Sequence, residues 1–445
     1  MPDKKRPLNA SMRTLLPVLA TAAIVLTGCG SSLVGSSAPV ALQSVALHGS
    51  VHGGQQPVTG ATIQLYAANA AGGYGSNSVA LLTSPVATTS GGSFTITGLY
   101  TCPSAGSLVY LTATGGNPGL GGSNANLALM TALGPCGNLS PSTNVNINEL
   151  TTIASVYALS PFMKSFSAVG SSAGNLQGLT NSFATVNNLV NINSGTLSGP
   201  TLPANAVLPA TELNTLADIL ASCINSGGGA ANDGSACGSL FQYTTPTGGS
   251  APTDTISAAL NIARSPGSNV AALIGLTLPS SPYQPTLASA SDFTVSIKYK
   301  TGGFSTPSAS AVDAGGNLWV TNANNNSVSV LNPAGSPLSG SPFSGGGLST
   351  PSAIALDASG NAWIADSGSS KLSVFTSAGT GTQTAATGLA SPSGVAIDGQ
   401  GIVWVTNSGN STVTAVTTSG TTATSSNSYG AGGTNTPTAV AINPY

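Results

Sequence analysis

The stretches PSASAVDAGGNLWV (307–320), PSAIALDASGNAWI (351–364) and PSGVAIDGQGIVWV (392–405) are three versions of one sequence. In each version a proline stands twelve residues before a tryptophan, and these are the 3 tryptophans of the chain. A repeat with a period of about 40 to 45 residues is typical of stacked or radial arrays, because one unit cannot bury its apolar face without a neighbour. The repeat therefore predicts an architecture, although it does not predict a ligand.

The repeated sequence is typical of a β-hairpin. A strand runs into an aspartate whose side chain can cap the turn, a glycine supplies the positive φ angle, and the tryptophan begins the return strand as a core filler. A second turn leads to a further strand, and four strands per repeat make a propeller blade. The alternative is that the aspartates are ligands, but their identical turn position in each repeat favours capping. The residues given these structural roles are Asp313, Trp319, Asp357, Trp363, Asp398 and Trp404.

This pattern closely resembles NHL-type β-propellers and the propeller of the virginiamycin B lyase-like family. The resemblance covers Ser305 to Tyr445 and implies a propeller region over residues 290–445, with repeats starting near 306, 350, 391 and 436. In the lyase family a propeller histidine aided by a glutamate acts in a metal-assisted reaction. The repeat region here contains neither His nor Glu, so those catalytic residues cannot be carried over.

The fourth repeat is represented only by PTAVAINPY (437–445), the beginning of a hairpin. Propellers usually have at least four blades. We therefore expect either that further blades follow in a longer chain, or that the open edges pair with Asp292 to Tyr299 or with another chain, because exposed strand edges favour association.

Charged residues make up only 4% of the chain, whereas hydrophobic residues reach 40%. An average soluble domain carries about 25% charged residues. Nucleic-acid binding needs clustered Lys and Arg, so this composition argues against a nucleic-acid partner. The 445 residues allow roughly three domains.

The N-terminus predicts export. Lys4, Lys5, Arg6 and Arg13 precede an apolar core from Thr14 to Leu26, which ends in Leu-Thr-Gly-Cys at Cys29. This resembles a bacterial lipoprotein signal, and the resemblance implies a cleaved signal peptide (1–28), a lipid on Cys29 and a Ser/Gly/Ala-rich tether (29–44). The alternatives are an ordinary cleaved signal or an uncut anchor helix, although the apolar core is short for a membrane span. Gly30 favours the outer membrane if the cell has one.

Removal of residues 1–28 takes away four of the nine basic and one of the eleven acidic residues, which leaves a formal net charge of −5. Once Cys29 is acylated, an even number of cysteines remains, and export favours two disulfides. Three pairings are possible, and proximity in sequence favours Cys102 with Cys136 and Cys223 with Cys237. The alternative is a metal site, but no CxxC occurs and the only histidines, His48 and His52, lie far away in sequence.

Residues 45–145 show short alternating strands interrupted by glycine, which predicts an antiparallel β-sandwich. Val109 to Ala113 continues the alternation. The sequences GSVHGGQQPVTGATIQLY (49–66) and TTSGGSFTITGLY (88–100) resemble the carboxypeptidase-regulatory-like and related Ig-like domains of bacterial surface proteins. We interpret His48 and His52 as exposed residues on one face of a strand.

Residues 146–285 carry apolar residues at helical spacing and predict a small α-helical bundle. Glu149 in a first helical turn suits the helix dipole better than a role as catalytic acid. Glu212 and Asp218 are six residues apart and do not face together, so no paired-carboxylate site is predicted. The predicted helices are Glu149 to Leu159, Leu176 to Val190, Ala210 to Ile224, Thr255 to Ala263 with Asp254 as its N-cap, and Val270 to Leu276.

The sequence thus predicts an exported, mainly β, multidomain protein, anchored in the cell envelope by the lipid on Cys29. The function that we favour is a non-catalytic binding or structural module whose propeller contacts protein or glycan, without a cofactor or metal. The alternative is a lyase or hydrolase acting on an extracellular substrate. Catalysis needs a tuned acid, base, metal or nucleophile, and the chain offers few candidates.

Overall fold

A computed structural model describes residues 42–43, 45–97, 100–119, 122–277, 280–300, 302–430 and 432–442. The predicted signal peptide and Cys29 lie outside the described residues, as does most of the predicted tether.

Two β-sheets form the first part of the described chain. One has the strand order β10-β9-β4-β5, with β6 also on β4, and the other has the order β11-β2-β3, with β7 on β2. The prediction of a purely antiparallel arrangement is wrong at β11, which runs parallel to β2. The strands are β1 Leu42–Gln43, β2 Leu47–Gly53, β3 Gln56–Pro57, β4 Thr62–Ala67, β5 Val79–Ala80, β6 Val86–Ala87, β7 Ser93–Ile96, β8 Thr101–Cys102, β9 Leu108–Thr114, β10 Ala128–Pro135 and β11 Asn144–Ile147.

Strands β9 and β10 are buried on both faces. The prediction that Val109 to Ala113 alternates between core and solvent is therefore wrong, because both faces of this strand are buried in the core that the strands share with the helices. A strand that is apolar along its whole length is typical of a sheet covered on both sides. One hydrophobic core extends from Leu47 in β2 to Phe293, so these strands and the helices after them pack together rather than as a sheet pair and a free-standing bundle.

The helices begin and end close to the predicted residues. They are α1 Glu149–Leu159, α2 Leu176–Leu189, α3 Ala210–Ile224, α4 Ala236–Tyr243, α5 Thr255–Arg264 and α6 Val270–Ile274. Asp254 caps α5 by accepting a hydrogen bond from the Ser257 backbone N–H, as predicted. The sequence interpretation missed α4, which starts after the N-cap Ser235.

Short two-stranded pairings connect the helices. Lys298–Tyr299 pairs with Ala206–Val207. Within the described residues these two residues pair with no repeat strand, so the alternative in which Asp292 to Tyr299 covers an open edge of the repeat region is wrong for Lys298 and Tyr299. These strands are β12 Met163–Ser165, β13 Ala168–Val169, β14 Val190–Asn191, β15 Thr196–Leu197, β16 Ala206–Val207 and β17 Lys298–Tyr299.

The repeats form three four-stranded antiparallel sheets whose strand order follows the chain. We call them repeat sheets 1, 2 and 3. They do not close into a ring within the described residues. Sheet 1 contains β18 Pro307–Val312, β19 Leu318–Asn322, β20 Ser327–Leu331 and β21 Phe343–Ser344; sheet 2 contains β22 Pro351–Leu356, β23 Ala362–Asp366, β24 Lys371–Phe375 and β25 Gly381–Gln383; sheet 3 contains β26 Pro392–Ile397, β27 Val403–Asn407, β28 Thr412–Ser419 and β29 Thr422–Tyr429.

Each tryptophan side chain of the first two repeats packs against the following repeat sheet. Trp319 shares a buried cluster with Ile354 and Ile364 of sheet 2. Trp363 likewise shares one with Val403 and Val405 of sheet 3. The apolar face of one repeat is thus buried by the next, as the repeat period implies.

Candidate functional site

The aspartate turn has the same backbone and indole hydrogen bonds in each repeat sheet, and sheets 1 and 2 add a bond from an asparagine side-chain amide. In sheet 2, Asp357 Oδ1 accepts from the backbone N–H groups of Ser359 and Asn361, both at 2.9 Å. Its Oδ2 accepts from the Asn361 side-chain amide and from the Trp363 indole N–H, also at 2.9 Å. The carboxylate thus closes the turn and accepts the hydrogen bond of the buried Trp363 indole N–H. The equivalent indole contacts join Asp313 to Trp319 at 3.0 Å and Asp398 to Trp404 at 2.9 Å.

These donors lower the pKa of the turn aspartates. Burial alone would raise the pKa of Asp357, but the Trp363 indole, Asn361 and the Ser359 backbone together hold it below its usual value. In sheet 3, Ile402 stands where sheet 2 has Asn361, and Trp404 is the main cause of the lowered pKa of Asp398. Both oxygens of each carboxylate are occupied by donors from its own turn, which fits the cap rather than the ligand alternative.

Neighbouring repeat sheets are also joined by a serine hydrogen bond. The serine after each repeat-starting proline donates from its Oγ to the carbonyl oxygen of the next repeat's proline. The pairs are Ser308 with Pro351 at 2.6 Å, Ser352 with Pro392 at 2.7 Å and Ser393 with Pro437 at 2.6 Å. The Pro-Ser dipeptide thus links repeats, a role that the sequence interpretation missed because it considered each hairpin alone.

The residue before each of these prolines has a positive φ angle, although it is not glycine. Such a conformation costs roughly 1 to 3 kcal/mol and persists only where surrounding contacts enforce it. For the last three of these residues the contact comes from the preceding repeat, whose turn side chain accepts from the backbone N–H. The φ angles are 50° for Thr306, 47° for Thr350, 41° for Ser391 and 47° for Thr436, and the acceptors are Asn326 for Thr350, Ser370 for Ser391 and Ser411 for Thr436.

Two sets of turns lie at opposite ends of the repeat strands. The turns at residues 314–316, 358–360 and 399–401 form what we call the Asp-turn rim. The turns at 323–326, 367–370 and 408–411 form the Asn-turn rim. The Asn-turn rim carries more hydroxyl and amide side chains than the Asp-turn rim does. Its exposed amides include Asn324, Asn325, Asn326 and Asn410. It has no charged residue.

A buried position at the base of the Asn-turn rim differs among the repeats. Asn322 and Asn407 occupy it in sheets 1 and 3, and Asp366 occupies it in sheet 2, all with 0% exposure. The two asparagines donate from Nδ2 to hydroxyl groups, such as that of Thr414 at 2.9 Å. Asp366 instead faces the Ser373 hydroxyl at 2.6 Å, and burial raises its pKa to about 6.

The structure brings together two buried carboxyl groups that the sequence interpretation kept apart. Glu149 is fully buried and accepts from the Gly54 backbone N–H at 2.8 Å and from the Tyr283 hydroxyl at 2.7 Å. Asp218 accepts from the Tyr283 backbone N–H at 3.1 Å. Burial is the main cause that raises the pKa of each to about 7. Glu212 lies elsewhere, where burial and Asp292 raise its pKa to about 7.

The remaining predicted residues lie away from these groups. The structure has both disulfides, Cys102–Cys136 and Cys223–Cys237. His48 and His52 share the outer face of β2. The prediction that both are exposed is confirmed for His48 and is wrong for His52, which is half-buried. In the described part of the chain, no three His, Cys, Asp or Glu side chains group as a metal site would require. Among the helices of that part, none has the length and apolar character needed to cross a membrane.

Residues 389–415 match the NHL repeat family model. The match covers β26, β27 and the start of β28. Repeat sheet 3 therefore carries an NHL repeat. No curated protein matches the chain.

Several solved structures are partly similar to this chain. A streptogramin B lyase structure is 18% identical over 29% of this chain and 42% of that one, with a TM-score of 0.26. Virginiamycin B lyase from Staphylococcus aureus is 19% identical over 25% of this chain and 38% of that one, with a TM-score of 0.21. Kuenenia stuttgartiensis hydrazine synthase is 16% identical over 31% of this chain and 39% of that one, with a TM-score of 0.26. The aligned part spans about two fifths of each of these proteins.

Proposed function

We propose that this chain is an exported, lipid-anchored cell-surface protein that contacts protein or glycan through the Asn-turn rim without catalysing a reaction. The N-terminal sequence up to Cys29 supports export and anchoring in the cell envelope. The strands of residues 45–145, proposed as an Ig-like sandwich, would serve with the helices as the stalk that carries the repeat sheets.

The observation that carries the proposal is the combination of exposed amides and hydroxyls with a rigid base at the Asn-turn rim. The positive-φ residues and the Ser-to-Pro hydrogen bonds fix each turn relative to the next repeat. Binding residues are commonly found on loops that a rigid scaffold positions. Uncharged donors and acceptors suit a polar, uncharged surface such as a glycan or a peptide backbone.

The alternative, a lyase or hydrolase, has less support from the residues present. Residues 305–445 contain neither the histidine nor the glutamate that the lyase-like family uses. The turn aspartates, which are the repeated acids, have both carboxylate oxygens occupied by donors of their own turns. A general acid or base must instead be within reach of a substrate proton.

We also propose that repeat sheet 1 has an exposed apolar face through which the protein can associate with a second copy of itself. Phe304 and Val312 are 37% and 62% exposed there. The same face of sheets 2 and 3 is covered by the tryptophan of the preceding repeat. A second chain that supplies such a repeat would bury this face.

The rim proposal is tested with two double variants. Asn324→Ala with Asn410→Ala removes exposed amides from the Asn-turn rim. Ser359→Ala with Gln400→Ala is the matched control, because both positions are exposed on the Asp-turn rim. In binding assays against arrayed bacterial glycans and against surface-protein extracts, we expect only the first variant to lose binding. Equal binding by both variants would show that the Asn-turn rim is not the contact surface.

The anchoring proposal is tested by Cys29→Ser in a cell-fractionation experiment. We expect the wild type in the membrane fraction and the variant in the soluble fraction, because a thiol is needed for the lipid. Unchanged membrane partitioning of the variant would contradict the lipid anchor.

A further inference from the structure

Among the buried side-chain atoms without a hydrogen-bond partner in the described part of the chain, five are hydroxyls and two belong to residues that line one cavity, Asp218 and Asn225. Asp218 is 1% exposed, and its Oδ2 atom has no hydrogen-bond partner, whereas its Oδ1 atom accepts from Tyr283. The Oδ1 atom of Asn225, at the C-cap of α3, is also buried without a partner. A buried acceptor that lacks a donor destabilises the folded state, and a charged one does so more strongly.

Asp218 and Asn225 both line one cavity of about 310 Å³, at the C-terminal end of α3. The apolar wall comes from Ala221, Leu276 and Pro282, and the hydroxyl groups come from Ser222, Ser280 and Ser281. The Ser222 hydroxyl already donates its proton to the Ile219 carbonyl, so towards a ligand it can only accept. The volume lies at the lower end of the range for ligand pockets, roughly 300 to 1,000 Å³. The cavity therefore offers acceptors and an apolar wall to a small molecule that donates hydrogen bonds.

The charge around the cavity is negative. Glu149 lies close enough to Asp218 for the two carboxyl groups to repel each other, and Tyr283 bridges them with its hydroxyl and backbone N–H. In the described part of the chain, no Lys, Arg or His side chain donates a hydrogen bond to either acid. A buried carboxylate is otherwise compensated by an opposite charge.

We propose that this cavity binds small organic molecules that carry a primary ammonium group, which donates to Asp218 Oδ2 and Asn225 Oδ1. An ammonium supplies three N–H donors and a positive charge, and its hydrocarbon body can lie against Ala221 and Pro282. A calcium ion fits less well, because it takes about six to eight oxygen ligands and has no use for an apolar wall. Burial raises the pKa of Asp218 to about 7, and a bound cation would favour the ionised form.

The packing around the site also depends on two glycines. A Cβ atom at Gly53 would lie 2.8 Å from Asn225 Oδ1, and one at Gly54 would lie 3.0 Å from Pro282. The chain therefore passes close behind the cavity, and its Gly54 N–H holds Glu149. This arrangement keeps a second carboxyl group next to Asp218.

The test compares n-butylamine with 1-butanol, two probes of similar size that differ in charge. Saturation-transfer NMR and calorimetric titration on the full wild-type chain at pH 8 are expected to show saturable millimolar binding of the amine and none of the alcohol. Equal binding of both probes, or no saturable binding of the amine, would overturn the proposal. Binding of calcium chloride without binding of the amine would overturn it as well. The wild-type comparison needs no variant to fold.

The variant Asp218→Asn keeps the acceptor for the Tyr283 N–H and removes the charge, so we expect amine affinity to fall at least about tenfold, or about 1.4 kcal/mol. Glu212→Gln is the matched control, because Glu212 is another acid on α3 with a raised pKa but does not line this cavity. We expect it to bind the amine like the wild type. Equal losses in both variants would refute a specific role for Asp218.

Discussion

Asp366→Asn should stabilise repeat sheet 2 at neutral and higher pH, because it restores the residue that sheets 1 and 3 carry. The Ser373 hydroxyl has one proton, and it faces both Asp366 Oδ2 at 2.6 Å and the Gly346 carbonyl at 2.8 Å. In sheet 3 the matching Thr414 hydroxyl faces the Gly388 carbonyl while it accepts from Asn407. The same pattern in sheet 2 requires Asp366 to donate, which only the protonated carboxyl can do.

The size of the effect follows from the pKa. The pKa of Asp366 rises from 3.8 to about 6 in the folded protein because of burial. A shift of about two units corresponds to about 3 kcal/mol, at about 1.4 kcal/mol per unit. As the pH rises, the unfolded state loses the carboxyl proton of Asp366 before the folded state does. The contribution of the protonated Asp366 to the free energy of unfolding is therefore full below about pH 4 and is lost as the pH rises through about 6. Lys371, the cross-strand partner of Asp366 on β24, is not among the causes of this shift.

The assay is urea unfolding followed by tryptophan fluorescence, which reports on the repeat sheets because all 3 tryptophans lie in the repeats. We expect Asp366→Asn to match the wild type near pH 4 and to exceed its free energy of unfolding by about 2 to 3 kcal/mol near pH 8. Asn407→Asp is the reciprocal control and should acquire the same loss of stability with rising pH. Parallel stability curves for wild type and Asp366→Asn between these pH values would refute the reasoning.

Three further predictions use unfolding measurements. Asp357→Ala should lower the free energy of unfolding of the repeat sheets by about 2 to 3 kcal/mol, because a turn loses its cap and a buried indole loses its acceptor, and a change below about 0.5 kcal/mol would contradict this. Ser352→Ala should cost about 0.5 to 1.5 kcal/mol through the lost link to the next repeat, and Ser359→Ala, on an exposed turn, should cost nothing measurable. Cys102→Ser with Cys136→Ser should cost about 3 to 4 kcal/mol, measured as a lower Tm by circular dichroism, and an unchanged Tm would show that the link is not stabilising.

The elements that the sequence predicts well are those set by residues close in the chain. Each repeat hairpin has an aspartate, a glycine and a tryptophan within six residues of the aspartate, and their contacts depend on the turn alone. The start of α5 follows from Asp254 and the N–H groups of the next turn. The disulfide pairs also join cysteines that are 34 and 14 residues apart. In these cases sequence proximity is a good guide because the contacts close short loops.

The elements that the sequence did not predict depend on distant partners. Glu149 binds Tyr283 across 134 residues, so inspection of the acids alone could not pair Glu149 with Asp218. The parallel pairing of β11 with β2 likewise joins segments that are far apart in the chain. Strand β9 shows a run of apolar residues with two threonines, and only its packing inside the shared core decides that both faces are buried. A signal was present for one missed feature, because Pro-Ser recurs at the start of three repeats and Pro-Thr at the fourth.

The scarcity of charge gives a few carboxyl groups control over how stability changes with pH. The turn aspartates have lowered pKa values, so their contribution is present above the unfolded pKa of 3.8 and is lost as the pH falls through the folded value. Glu149, Asp218 and Asp366 have raised pKa values, so their contribution is present at low pH and is lost as the pH rises through about 6 to 7. Because the two groups depend on pH in opposite directions, there is a mildly acidic pH range in which the turn aspartates are ionised and the buried acids are protonated, which are the stabilising forms of both groups. Because only 4% of the residues are charged, few surface charges are present to obscure that range. The single aspartate that replaces asparagine in sheet 2 therefore sets the upper limit of the range for the repeat sheets.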